Sequence, residues 1–349
     1  MILQTKTNKM KPQIICLTPV RNEAWVLDRF IQAASLWADH IIISDQESTD
    51  GSREIARKYD KVILLENKAL PYFDEYLMRK PLFDAAREIE GYKILISLDA
   101  DELLTPNWDS KEWADITTAP KGTVVSFFLG NIAYGFKKYW CRSVIAGYVD
   151  DGAAYTTENI VHTPRSIYGS DHDMIETKEV GVIHLQYTDW ERMQCKHRWY
   201  QCFEYIKKVN DTIDIFRRYH HMYSLPKTEL KTVPFWWVEK YKQYGVDITA
   251  VQKQEKLYWE KVVLDYMIEF GTAYFKMLNI WDVDWCSIAR KWGYNNPKQF
   301  SNPQTIKDKL ILYYLRISQP FFLPESKGLK RIPYRVIKKV DSYLKKKLK

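Results

Sequence analysis

The sequence has no run of about 18 or more uncharged apolar residues, which excludes the usual pattern of a transmembrane helix. Its first residues, M-I-L-Q-T-K-T-N-K-M-K-P, lack the continuous apolar core of a secretory signal. Cysteine is scarce: the five residues are odd in number and no pair has C-x-x-C spacing, so a disulfide framework is not expected. These absences fit a chain that works in a reducing cytoplasm.

Net positive charge is missing from the body of the chain and concentrates at its end. Residues 307–349 hold 13 Lys or Arg against three acids, a net +10, and the whole chain carries +8, so the preceding 306 residues sum to −2. An enzyme that acts on nucleic acid usually carries its positive charge around the active site. We therefore predict that nucleic acid is not a partner.

The remaining composition indicates a large folded protein. The chain has 349 residues, of which 46% are hydrophobic and 15% aromatic, enough to bury a substantial core. This length exceeds a typical single domain. One large α/β unit followed by a second element is the expected organisation.

Strand and helix patterns alternate through the first hundred residues. Short apolar runs predict strands, and apolar residues at helical spacing predict helices between them. The predicted strands are 13–18, 40–44, 62–65 and 93–98, and the predicted helices are 23–37, 53–59 and 73–89. This alternation is typical of βαβ crossovers and a mostly parallel sheet flanked by helices, whose ligands bind beyond the carboxyl ends of the strands. After residue 187 the pattern is helical almost throughout.

Acidic residues follow two of these predicted strands. Asp45 ends the second strand, and the fourth runs into Asp99 and Asp101, which share one face because successive side chains of an extended chain alternate. Two carboxylates on one side offer hard oxygen ligands to Mg²⁺ or Mn²⁺. The alternative for such a D-x-D sequence is a simple turn or helix cap.

Three short motifs fall in order on these elements: P-V-R-N-E at Pro19 to Glu23, S-D-Q-E-S-T-D-G-S at Ser44 to Ser52, and L-D-A-D-E at Leu98 to Glu102. Together they resemble family 2 glycosyltransferases of the GT-A type. The resemblance covers residues 12–190 and implies a Rossmann-like GT-A domain there. The sequence pattern predicts a helical acceptor-side or supporting region over 191–330 and a basic amphipathic tail helix over 331–349.

The resemblance also implies roles for single residues. Pro19, Arg21 and Glu23 would line the pocket for the nucleotide base, and Asp45 would hydrogen-bond the base. Asp99 would face the ribose and the metal, and Asp101 would bind the metal directly. His184, at the end of a predicted strand over 180–186, would complete the metal site or, alternatively, be a histidine on a half-buried strand. Asp50, Gly51 and Ser52 fit a turn and helix cap nearly as well as a ligand role.

An inverting transfer needs one carboxylate within hydrogen-bond reach of the acceptor hydroxyl. The stretch where relatives carry this base has His162 followed by Thr163 instead of an acid. The candidates are Asp150, Asp151, Glu158, Asp171 and Asp173, and Asp151 and Glu158 are preferred. The alternative for the D-D-G sequence that contains Asp151 is a plain turn.

The basic tail has an amphipathic pattern. Lysines surround one apolar face, formed by Val336, Ile337, Val340, Tyr343, Leu344 and Leu348. Such a helix fits an anionic membrane surface. Its apolar face fits the body of the protein equally well. The first alternative predicts a cytoplasmic protein held peripherally on the inner face of the membrane.

These features predict a glycosyltransferase that uses Mn²⁺ or Mg²⁺. Its partners would be a nucleotide-diphosphate sugar donor and a glycan or lipid-linked saccharide acceptor. One alternative is a sugar-phosphate nucleotidyltransferase, but the loop from Thr18 to Glu23 lacks the glycines that would cradle a triphosphate. The other is a non-catalytic basic adaptor for membranes or nucleic acid, which leaves the aspartates at the strand ends unexplained.

Overall fold

The structure is a computed structural model that describes residues 11–68, 73–156, 162–167, 172–225, 227–250, 253–323, 328 and 331–348. The chain forms two compact units, each built from two segments. The first unit comprises Met1–Asp189 and Lys231–Lys253, and the second comprises Trp190–Leu230 and Gln254–Lys349. Glu158 and Asp171, two of the candidate bases, lie outside the described residues.

The first unit is built on one mixed sheet. In the described residues it has nine strands: β1 (Gln13–Val20), β2 (His40–Gln46), β3 (Val62–Asn67), β4 (Lys93–Ser97), β5 (Glu102–Leu104), β6 (Val124–Ala133), β7 (Lys138–Val149), β8 (Met174–His184) and β9 (Lys231–Thr232). The order is β3-β2-β1-β4-β7-β6-β8-β5, with β9 paired to β7. β3, β2, β1 and β4 run parallel, and β7 is the first antiparallel neighbour.

The helices, in chain order, are α1 (Ala24–Ala34), α2 (Ser52–Ala56), α3 (Glu75–Glu88), α4 (Lys111–Thr117), α5 (Trp190–Ile206), α6 (Thr212–Tyr219), α7 (Phe235–Gln243), α8 (Tyr258–Phe270), α9 (Trp285–Lys291), α10 (Ile306–Ser318) and α11 (Arg331–Leu348). The α/β class and the helical C-terminal region predicted from the sequence are therefore confirmed. No helix among the described residues is long and apolar enough to cross a membrane.

The core of the first unit explains why residues 231–253 belong to it. Trp237 and Tyr241 of α7 are buried among side chains of α1, β4, β6 and β8. The Tyr241 hydroxyl donates to the Leu104 carbonyl oxygen at 2.5 Å. The sequence prediction assigned this segment to the helical region, because its helical pattern gives no sign that it packs on the earlier sheet.

In the second unit the tail helix is packed on its neighbours. Ile337 is buried, and Leu344 and Leu348 pack with α6 and α10. The buried Asp341 carboxylate accepts two hydrogen bonds from the Arg217 guanidinium, at 2.9 and 3.0 Å. Three of the apolar residues that the sequence placed on one face therefore serve the fold, while Val336, Val340 and Tyr343 remain exposed.

Candidate active site at the carboxyl edge of the sheet

The predicted site residues lie at the carboxyl ends of the parallel strands. Val20 pairs with Asp45 at the ends of β1 and β2. The backbone of Leu98, just after β4, still donates to Leu17 of β1 at 3.0 Å, so Asp99 leaves the sheet at the same edge. The topology thus brings together the three loops that carry the sequence motifs, as expected for ligands of an open parallel sheet.

The loops after β1 and β2 are locked to each other by side-chain hydrogen bonds. Ser48 Oγ accepts from the Asn22 amide at 2.9 Å, and Asn22 Oδ1 accepts from the Thr49 amide at 2.8 Å. The Asp50 carboxylate accepts from the Ala24 amide at 2.9 Å and from the Ser52 hydroxyl at 2.6 Å. Asp50 and Ser52 therefore hold the entries into α1 and α2, and this supports the turn-and-cap reading for both.

Asp45 is buried at the end of β2. Its Oδ1 accepts from the Ser48 amide at 3.1 Å and lies 3.3 Å from Arg53 Nε. Oδ2 is buried and has no hydrogen-bond partner in the described part of the chain. Burial raises the pKa of Asp45 in spite of the Ser48 and Arg53 contacts. A buried carboxylate oxygen without a donor is unusual, and an N–H group of a bound base would supply the missing partner.

The three residues predicted for the base pocket lie at the same edge of the sheet. Pro19 is half-buried near the end of β1, next to Ser44 of β2, and Arg21 is half-buried in the loop that follows. Glu23 precedes α1, and its carboxylate accepts from Trp25 Nε1 at 2.6 Å. The structure therefore brings these three residues together with Asp45 at one edge of the sheet.

Asp99 is held between two arginines. Arg79 of α3 donates to Asp99 Oδ1 at 2.6 Å, and Arg165 Nη2 lies 2.9 Å from Oδ2. Arg79 is buried and also donates to the Ser97 hydroxyl at 3.1 Å. Burial disfavours the charge of Arg79, but the nearby Asp99 carboxylate outweighs this effect, so the pKa of Arg79 is raised. Both arginines are therefore charged and neutralise Asp99.

Arg165 also pairs with Glu102, the first residue of β5. The Glu102 side chain is fully buried, and its Oε2 accepts from both Arg165 and the Asp99 amide. Burial opposes the charge on Arg165, but the carboxylates of Asp99 and Glu102 prevail and raise its pKa. A single guanidinium thus joins the loop at residues 162–167 to the D-x-D motif.

Asp101 faces His184 across the β5–β8 pair. His184 Nε2 lies 3.6 Å from Asp101 Oδ2, and both side chains are largely buried. His184 Nδ1 donates to Asn131 Oδ1 at 2.8 Å, and this contact leaves Nε2 facing Asp101. A second-sphere acceptor of this kind fixes the tautomer and orientation of metal-binding histidines.

This donor set fits a divalent ion in part. Asp101 and His184 offer one oxygen and one nitrogen on a common side, and Mg²⁺ and Mn²⁺ sites often use one or two protein ligands completed by substrate phosphates and water. Among the described residues, however, no group of three or more His, Cys, Asp or Glu side chains could hold a metal. Asp99, which was expected to contact the metal, is occupied by arginines and does not join such a group.

The preferred catalytic base, Asp151, lies at the other end of the sheet. The neighbouring Asp150 amide donates to the carbonyl of Lys93, the first residue of β4, whereas Asp99 follows the last. Six extended residues span about 20 Å, far beyond hydrogen-bond reach. The Tyr148 hydroxyl donates to Asp151 and lowers its pKa. Asp173 lies at this same end, since its carbonyl accepts from the Val124 amide. Asp151 is therefore a turn residue at the opposite edge.

Sequence reasoning missed Arg79, Arg165 and Asn131. Arg79 lies on a helix whose charged residues would ordinarily be solvated, and Arg165 lies in a loop with no motif of its own. Asn131 lies within β6, and only its register opposite His184 reveals its contact. Sequence reasoning could have identified Glu102, because it is the last residue of the L-D-A-D-E motif.

Comparison with known proteins gives one family match and several structural matches. Residues 15–169 match the family described as Glycosyl transferase family 2, a segment that contains Asp45, Asp99 and Asp101. No curated protein sequence matches the chain. Solved structures that resemble it include the mannosyltransferase PcManGT from Pyrobaculum calidifontis in complex with GDP-Man and Mn²⁺. That match has 11% identity and a TM-score of 0.34, and it covers 96% of this chain and 85% of that chain. Residues 15–169 thus match glycosyl transferase family 2, and this match supports transfer of a sugar from a nucleotide sugar as the activity of the chain.

Proposed function

We propose that this glycosyltransferase moves a sugar from a nucleotide-diphosphate donor to a hydroxyl of a glycan or lipid-linked saccharide, with help from a divalent metal and with inversion at the anomeric carbon. The observation that carries the proposal is the pair of Asp101 and His184 beside an Asp99 held by two arginines, all at the carboxyl edge of a parallel sheet. The family match supports the reaction class, and the side-chain contacts support the division of labour given below.

The nucleotide would bind over β1 and β2. Pro19, Arg21 and Glu23 line this region, and Asp45 Oδ2 lacks a donor that a base N–H would provide. Asp99 would accept from the ribose hydroxyls, because an ionised carboxylate is an acceptor only. Arg79 and Arg165 keep Asp99 ionised and oriented, and they add positive charge where a diphosphate would lie.

Asp101 and His184 would hold the metal ion, with phosphate oxygens and water completing its shell. A bound ion would neutralise the charge that develops on the leaving diphosphate. The chain's own contribution is orientation: Asn131 fixes the His184 ring, and the β5–β8 pairing fixes Asp101 relative to it. Acceptor activation requires a further carboxylate, and Glu158 remains the predicted base.

The test is ligand-induced thermal stabilisation. We expect one of UDP, GDP, CDP and dTDP, added with Mn²⁺, to raise the melting temperature. A ligand at 100 times its dissociation constant adds about 2.7 kcal/mol to the free energy of unfolding. The Asp101→Asn and His184→Ala variants should lose the metal-dependent part of this shift. Asp115→Asn, on the exposed surface of α4 and paired with Lys111, is the matched control.

The outcomes separate the parts of the proposal. A shift that is independent of metal and survives in both variants would leave nucleotide binding intact but remove the metal role of Asp101 and His184. The absence of any shift would contradict the donor site itself. Release of free sugar from the matching nucleotide sugar would then be measured to confirm the donor, and product stereochemistry by NMR would decide inversion against retention.

A further inference from the structure

The helix α10 has two unlike faces. Leu312, Leu315 and Ser318 are buried toward α6 and α11. On the opposite face a stripe of large apolar side chains is exposed to solvent: Ile306 (79%), Leu310 (62%), Tyr313 (60%), Ile317 (52%) and, in the turn after the helix, Phe321 (57%). Single exposed apolar residues are ordinary, but five at helical spacing form one continuous apolar surface, which is typical of an interaction site.

The exposed charges of α10 and α11 all have one sign. In the described parts of 302–348, the only acids are Asp308 and Asp341, and both are buried. Asp308 belongs to the capping box of α10, and Asp341 pairs with Arg217. The exposed charged residues of α10 and α11 are Lys307, Lys309, Arg316, Arg331, Arg335, Lys338, Lys339, Lys346 and Lys347. An apolar stripe on a helix whose exposed charges are all cationic matches an apolar partner that carries negative charge.

A groove opens beside the stripe. It has a volume of about 570 Å³ and is lined by Trp281, Asp282, Gln304, Lys309, Tyr313 and Arg316, among others. The Asp282 carboxylate is already paired with the Arg198 guanidinium, at 2.8 and 2.9 Å. Arg316 is positioned by a 3.1 Å hydrogen bond from Nη2 to Asn279 Oδ1. Two cations, side-chain amides and two amphipathic aromatic rings are the groups that suit a phosphate at a boundary between water and hydrocarbon.

We propose that the stripe on α10 docks the second unit onto an anionic phospholipid bilayer, with a lipid phosphate bound in the groove between Lys309 and Arg316. The inference deepens the proposed function, because a lipid-linked acceptor lies at such a surface, yet it rests on residues outside the candidate active site. It also differs from the sequence-based prediction for the tail: α11 uses Ile337, Leu344 and Leu348 for packing, so the main apolar contact belongs to α10.

Charge complementarity favours a bilayer over the other occupants of this surface. A second copy of the chain would bring two cationic faces together, and like charges oppose such a contact. A nucleic acid would satisfy the cations but would leave the apolar stripe in water. An anionic bilayer satisfies both, since interfacial helices bury their apolar face at the acyl boundary while lysines contact the headgroups.

Vesicle sedimentation tests the proposal. We expect the full-length protein to bind vesicles of equimolar phosphatidylcholine and phosphatidylglycerol, and to bind phosphatidylcholine alone weakly. The double variant Leu310→Glu/Ile317→Glu should lower the partition coefficient about tenfold or more, because it removes buried apolar contacts and adds like charge to the anionic surface. Ile268→Glu is the matched control, since Ile268 is also an exposed apolar residue on a helix of the second unit, α8.

The groove is tested separately with Lys309→Gln. This substitution removes one cation and leaves the apolar stripe unchanged, so it should weaken binding to the anionic vesicles and reduce its sensitivity to salt, with no effect on phosphatidylcholine. All these side chains are exposed, so the melting temperatures should stay near that of the wild type.

Three results would overturn the docking surface. These are unchanged vesicle binding by Leu310→Glu/Ile317→Glu, equal losses in that variant and in Ile268→Glu, and a change of oligomeric state in lipid-free solution, which would assign the stripe to a second copy. Hydrolysis of the donor sugar nucleotide in lipid-free buffer distinguishes the two proposals. It should be equal in all these variants, and its absence throughout would contradict the proposed activity while leaving a positive vesicle result intact.

Discussion

At the scale of single residues, Arg165 has a structural role that can be measured separately from its role in function. It is the charged partner of the fully buried Glu102, and it also contacts Asp99. Arg165→Met should lower the free energy of unfolding by about 3–5 kcal/mol, because it leaves a buried carboxylate without its counter-charge. Thermal denaturation with and without nucleotide would measure the loss.

The double variant Arg165→Met/Glu102→Gln is the control for that explanation. It removes the uncompensated charge, so it should recover a large part of the stability lost in the single variant. Recovery of stability without recovery of nucleotide binding would place Arg165 in the donor site as well as in the fold. If the double variant is as unstable as the single one, burial of Glu102 is not the cause.

The buried His220, in the second unit, should make the free energy of unfolding depend on pH. Its Nδ1 donates to the Phe216 carbonyl at 2.8 Å and its Nε2 accepts from the Asn279 amide at 2.6 Å, so the neutral ring uses both nitrogens. Burial lowers the pKa of His220 to about 4, from an ordinary value of 6.5. Between these values the unfolded chain binds a proton that the native chain does not, so the free energy of unfolding falls as the pH falls from 6.5 to 4.

His220→Gln should flatten this dependence, although the similarly lowered pKa of the buried His197 will keep part of it. The measurement is the melting temperature of both proteins at pH 7 and pH 5. The wild type should lose more than the variant. His221→Gln is the control, because the ring of this neighbouring histidine is less buried than the ring of His220. An equal loss in the wild type and His220→Gln would contradict the assignment.

At the scale of elements, the pairing of β6 with β8 depends on one glycine. Gly181 lies opposite Phe128, and a Cβ on residue 181 would fall 2.2 Å from the Phe128 ring. That ring is stacked on Trp237, with centroids 6.0 Å apart, so it has little room to move. Gly181→Ala should therefore lower the free energy of unfolding by about 1–3 kcal/mol through overpacking.

Chemical denaturation of Gly181→Ala and of Gly181→Ala/Phe128→Leu would measure this effect. The smaller leucine removes the clash, so the double variant should be less destabilised than the sum of its single variants. Strict additivity would mean that the ring contact is not the cause. The strand pair also carries Asn131 and His184, so loss of metal binding in Gly181→Ala would show that the site shares this register.

The elements also show what the sequence could and could not predict. The strands β1 to β4 and the helices between them follow directly from apolar runs and helical spacing, and their parallel order places Asp45, Asp99 and Asp101 on one edge. β7, by contrast, has a mixed sequence that includes Gly147, which packs under Val125 of β6. Contacts of that kind are long-range, so no local pattern identifies them.

The strand β7, which the sequence does not predict, explains why the structure places Asp151 away from Asp99. Asp150 and Asp151 follow β7, and β7 runs antiparallel to β4, so they emerge at the edge opposite Asp99. Without the direction of β7, a D-D-G sequence that follows the L-D-A-D-E motif cannot be assigned to either edge. Arg79 was missed for a related reason: its burial depends on α3 lying over β1 and β2, which helical periodicity alone does not specify.

At the scale of the whole molecule, the chain passes from one unit to the other three times. The first unit takes residues 231–253 from within the helical half, and Trp237 is the residue that most clearly belongs to its core. The Trp237 ring packs against Tyr139, with centroids 5.0 Å apart, and against the backbone position of Gly130. The fold of the first unit therefore requires a segment that follows part of the second unit in sequence.

Trp237→Ala tests this assignment against its neighbour Trp236→Ala. Trp237 is 2% exposed, and its loss should lower the free energy of unfolding of the first unit by about 3–5 kcal/mol, whereas Trp236, at 42% exposed, should change it by about 0.5 kcal/mol or less. In scanning calorimetry, Trp237→Ala should lower the transition that a bound nucleotide raises, because the loops proposed to bind the nucleotide belong to the same unit. If Trp237→Ala instead lowers a transition that nucleotide leaves unchanged, residues 231–253 belong energetically to the second unit, as the sequence alone predicted.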